Sequence, residues 1–80
     1  MAHFVRVKDS VVQEAIVINN DVIGNAEGLE GEAIGIAFCK SLFGEDTEWL
    51  QTSYSATFRG KYAAVGDYYD SNKDEFVSTK

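Results

Sequence analysis

Near the C-terminus, Asp70-Ser71-Asn72-Lys73-Asp74 sets oxygen-bearing side chains at alternate positions, as the first half of a calcium loop does. An EF-hand would then need Gly at the sixth position and Glu at the twelfth. Glu75 stands at the sixth, and the twelfth falls past Lys80. The same residues suit a hairpin turn, because Asp and Asn side chains bond the backbone two residues on. The expectation is therefore a turn without a metal.

Other chemistry is thinner still. His3 and Cys39 are the single histidine and the single cysteine. A Cys–His nucleophile pair must meet and be oriented by a third group, and a structural zinc site uses four ligands. Cys39 lies among apolar residues, where a free thiol behaves as a small hydrophobe. Glycines recur in 24–31, but they match neither phosphate-cradling pattern, and the acids among them would repel phosphate. Glu45/Asp46 and Glu30/Glu32 are paired carboxylates in loops or at a helix end, and Glu32 suits the positive end of a helix. Glycosidase chemistry needs carboxylates facing across a cleft, which 80 residues can hardly build. No catalytic, cofactor-binding or metal residue is assigned, and no cofactor or small-molecule substrate is expected.

Charge narrows the partners. The net charge is −6, and residues 21–50 carry all of it, with seven acids against Lys40. No basic stripe tracks a phosphate backbone, so nucleic acid is disfavoured as a partner, as is an anionic membrane. No apolar run approaches the ~20 residues of a membrane span. The opening residues alternate and lack the apolar stretch of a signal peptide. Synthesis in a cytoplasm is expected.

The elements that must position any site are those of one small α+β domain over residues 1–80. Phe4–Lys8 and Val11–Ile18 are rich in β-branched residues and flank Asp9-Ser10, which predicts a hairpin. Residues 15–18 are apolar on both faces, which predicts a strand covered on both sides. Residues 24–31 read as a loop. Glu32–Phe43 reads as the one helix, stopped by Gly44. At 100° per residue Ile34, Ala37, Phe38, Ser41 and Leu42 share one side, expected against the chain's own sheet. Ile36, Cys39 and Phe43 share the other, expected toward a second chain. Glu48–Tyr54 alternates as a strand anchored by Trp49, residues 55–66 are irregular with one short strand possible, and 67–78 forms a hairpin that pairs Tyr69 with Phe76. The sheet should be mostly antiparallel.

A domain this small builds a thin core, and one cysteine excludes an intrachain disulfide. A helix apolar nearly all round, with seven aromatics after residue 48, suggests burial against a partner. The candidate interaction surface is Ile36, Cys39, Phe43, Tyr62, Tyr68 and Tyr69. An oligomer, or docking on a larger assembly, follows.

Several blocks carry a resemblance: Met1–Phe4, Val11–Asn20, Ala37–Asp46, Trp49–Tyr54, Phe58–Ala63, and Gly66–Asp70 with Asp74–Phe76. In this order, and over most of the chain, they resemble a family of short, functionally uncharacterised proteins of tailed bacteriophages, especially phages of marine cyanobacteria. Many members carry a Pro- and Trp-rich tail after the last hairpin. The 80 residues hold no proline, so nothing of that tail's role carries over. The resemblance implies a non-enzymatic virion part, such as a head decoration, neck, baseplate or fibre component. Its partners would be copies of itself or other virion proteins. The alternative is a small intracellular binder acting on host machinery.

Overall fold

The computed structural model describes residues 2–24, 31–56 and 58–78. β1 (Ala2–Lys8) and β2 (Val11–Ile18) pair antiparallel. Asp9 and Ser10 close the hairpin with φ of 53° and 67°, the left-handed pair whose twist suits a two-residue turn. The register passes from Arg6↔Glu14 to Val7↔Val12, so Gln13 bulges out of β2. β3 (Glu48–Thr52), β4 (Tyr68–Asp70) and β5 (Glu75–Val77) complete an antiparallel sheet in the order β3-β1-β2-β4-β5. The fold is α+β, as expected.

Alternation along β1 divides the core in two. Ala2 and Phe4 join Ile18, Ile23, Cys39 and Trp49 on the helix side. Val5 and Val7 join Val12, Ala63 and Phe76 on the other. This second face is covered only in part. Ile16 and Ile18 turn toward the helix side, but Val17 is 53% exposed and Ala15 is exposed as well. The expected two-sided cover of residues 15–18 is thus corrected. β4 reaches β2 only at Val11↔Tyr68, leaving the far end of β2 bare on that side.

The helix α1 runs Glu32–Phe43 as expected, and Gly44 stops it at φ 119° with its N–H on the Lys40 carbonyl at 2.9 Å. Its orientation is the reverse of the expectation. Gly35 and Cys39 are buried and Ile36 packs on the core, whereas Ile34 is 52% and Leu42 60% exposed. One small residue decides this. A Cβ on Gly35 would fall 2.0 Å from Phe4 Cζ, so the helix is seated where it has no side chain to hold it off. Phe38, expected inward, is half-buried and does pack against the helix-side core.

Between β3 and β4 the chain forms no strand among the described residues. It crosses the second face, where Val12 N–H donates to the Asp67 carbonyl at 2.8 Å and Tyr69 N–H to that of Ser10 at 2.7 Å. The C-terminal hairpin pairs Tyr69 with Phe76, ring centroids 5.4 Å apart. The loop predicted for 24–31 has its residues 25–30 outside the described ones.

Candidate interaction surface

Sequence reasoning passed over Arg59, around which the polar chemistry gathers. It sits in the irregular segment at φ 57°, its side chain 8% exposed. Its Nη1 and Nη2 donate to both carboxylate oxygens of Glu32, and Nη1 also to the Gln51 carbonyl at 2.9 Å. Its Nε donates to Asp74 Oδ1 at 2.8 Å, an oxygen that also accepts the Tyr69 hydroxyl. Glu32 further accepts the Gln51 N–H at 2.8 Å, and the Arg59 carbonyl accepts Phe76 N–H at 2.9 Å. One residue therefore ties α1 and both outer strands, β3 and β5. Burial opposes its charge, but the carboxylates outweigh burial and hold the guanidinium above its ordinary pKa. Hydrogen bonds from Tyr69 and Arg59 hold Asp74 below its own. Each nitrogen has an acceptor, so the cluster is a structural tie rather than an anion site. It joins residues 27 and 15 apart in sequence, and no local spacing encodes it.

The residues first weighed for chemistry are used elsewhere or kept apart. Asp70 Oδ1 accepts the Asn72 and Lys73 N–H groups, while Asp74 faces Arg59, so these carboxylates serve the turn and the tie. Among the described residues no three His, Cys, Asp or Glu side chains gather as metal ligands would. His3 lies on the second face, stacked on Tyr54 with centroids 5.5 Å apart and edge-on to Tyr62 at 5.6 Å. Partial burial lowers its pKa. Cys39 lies in the helix-side core, its thiol pushed up to about 11 by burial, and the sheet separates the two.

The six candidate surface positions do not form one surface. Cys39 is fully buried and cannot meet a partner. Ile36 packs into the core, and it lines with Tyr69, Lys40, Trp49 and Leu50 an open cleft of about 370 Å³. Tyr62 belongs to the His3 cluster. Tyr68 is exposed on β4. Phe43 is 45% exposed and leans on Trp49, centroids 5.1 Å apart.

What the structure does present is an apolar row along the outside of α1, four residues apart: exposed Ile34, half-buried Phe38 and exposed Leu42, with exposed Ala37 beside them. Glu45, Asp46 and Glu48 are exposed just beyond its end. Against protein-family models, curated proteins and solved structures, the chain finds no match. Among the described residues no helix is long and apolar enough to cross a membrane. Periodicity revealed both sides of α1; only the seat at Gly35 decides which faces out.

Proposed function

We propose that this protein is a non-enzymatic structural or accessory component of a phage particle, held there by protein contacts. The outward apolar stripe of α1 carries the reading: Ile34 and Leu42, each more than half exposed on one side of the helix with Phe38 between them, mark a surface that association would cover. The setting in a phage particle comes from the family resemblance. The polar groups best placed for chemistry, around Arg59, have their partners within the fold, which supports a role without catalysis.

Quantitative mass spectrometry of gradient-purified virions against infected-cell lysate tests it. Many copies per particle are expected. A protein abundant in lysate and missing from virions would replace this reading with an intracellular binder.

A further inference from the structure

The stripe on α1 has a definite boundary and a definite electrostatic setting. A helix of 12 residues is about 18 Å long and, with side chains, about 10 Å across. Its outer face alone therefore offers on the order of 300 Å², well short of the ~800 Å² per partner of a standard interface. Whatever covers it must reach past the helix onto neighbouring surface. Beyond Phe43 that surface is the run of Glu45, Asp46 and Glu48, all exposed, at the helix end where the unpaired carbonyls already make the potential negative. Lys40 is the single base within residues 21–50. Lys8 lies across a second cleft from Asp46 and Glu48, while Arg6 beside it is taken by Glu14 at 2.7 Å.

A second copy fits this setting poorly. Two chains of net charge −6 joined through α1 would bring their acidic segments together. The backbone groups of Gln51 and Phe76 that face away from the sheet are already bonded to Glu32 and Arg59, so those points offer nothing to an added strand.

We infer that the outer face of α1, through Ile34, Phe38 and Leu42, docks a different protein that lays an apolar segment along the stripe and sets lysine or arginine side chains against Glu45, Asp46 and Glu48. This rests on the proposed place in a particle and names the kind of partner met there. The apolar contact supplies most of the hold, and the acids select and orient the partner.

Phage carrying Leu42→Glu, Glu45→Lys with Asp46→Lys, or Tyr54→Glu test it by copies of the protein per purified particle. Leu42 is 60% exposed, so its purified variant should melt as wild type does, whereas Tyr54→Glu gives up ring contacts with His3 and Tyr62 and should melt lower. Leu42→Glu is expected to lower the copy number at least tenfold and the double Lys variant several-fold. Tyr54→Glu, on the opposite face, is expected to leave the copy number unchanged. Wild-type copy numbers for Leu42→Glu would overturn the inference and leave the virion reading standing, as would loss confined to Tyr54→Glu. A purified wild-type dimer by light scattering that Leu42→Glu splits into monomers would overturn it in favour of a second copy. Absence of the wild type from particles would instead remove the functional reading, and the docking with it.

Discussion

Replacing Glu32 with Ala is the sharpest perturbation of the fold. It leaves the Arg59 guanidinium, 8% exposed, with the Gln51 carbonyl and a single carboxylate, Asp74, whose side chain is 54% exposed. A pair so open to water contributes about 0–1 kcal/mol. Removing one member of a buried pair costs about 3–5 kcal/mol, and the low end applies because Glu32 keeps 19% exposure. The Gln51 N–H also loses its acceptor. A lone domain of this size has roughly 3–5 kcal/mol in all, so a loss of ~3 kcal/mol removes most of it. At about 4–8 °C per kcal/mol, the melting midpoint should fall by roughly 12–24 °C, read by far-UV circular dichroism. Glu32→Gln keeps an acceptor for Gln51 and should cost less. Asp74→Asn should cost under about 1 kcal/mol. A midpoint for Glu32→Ala within about 4 °C of wild type would refute the reasoning, and so would a larger loss from Asp74→Asn.

Gly35→Ala should destabilise by about 1–3 kcal/mol through overpacking on Phe4, although alanine favours helix by up to ~1 kcal/mol; a raised urea midpoint would contradict the seat of α1. Ile36→Glu should unfold the protein, whereas Ile34→Glu should leave its melting curve unchanged; the opposite pattern would return α1 to the orientation expected from periodicity. Cys39 gives a pH signature with a definite sign. Its folded pKa, about 11, lies above the ordinary thiol value, so its contribution is complete below the unfolded pKa and is lost as pH rises toward the folded one. The melting midpoint should fall between pH 9 and 11, less steeply in Cys39→Ala. A thiol reagent at pH 8 should label the native protein only on opening, and stoichiometric labelling within seconds would contradict the burial.

Much of the scaffold was legible because it is local. Asp9-Ser10 between two β-branched runs, Gly44 after an apolar helix, and Tyr69 opposite Phe76 are near-neighbour patterns, and all three stand in the structure. The inward side of α1 was not, because a helical wheel separates two stripes without saying which meets the sheet. That choice rests on Gly35 meeting Phe4, 31 positions earlier in the chain. Residues 15–18 misled for a related reason: apolar content states what a strand can bury, while cover depends on where the C-terminal segment crosses. Arg59 escaped notice because its partners lie in other elements. Ile34, Phe38 and Leu42 were grouped as one side and expected inward, whereas Ile34 and Leu42 face out.

The tie at Arg59 also orders the folding process in time. The β1–β2 hairpin closes over two residues, whereas Arg59 must find Glu32, Gln51, Asp74 and Phe76 after α1 and both outer strands have come close. Short closures precede long ones because less chain entropy is lost before contacts reward it. We therefore expect the Arg59 contacts to form past the rate-limiting barrier. Weakening them through Glu32→Gln should steepen escape from the native state and leave the refolding rate almost unchanged. A stopped-flow chevron in which the refolding limb drops instead would place the tie in the folding nucleus. With the barrier crossed before the tie closes, the Arg59 contacts would lengthen the life of the folded chain without speeding its formation.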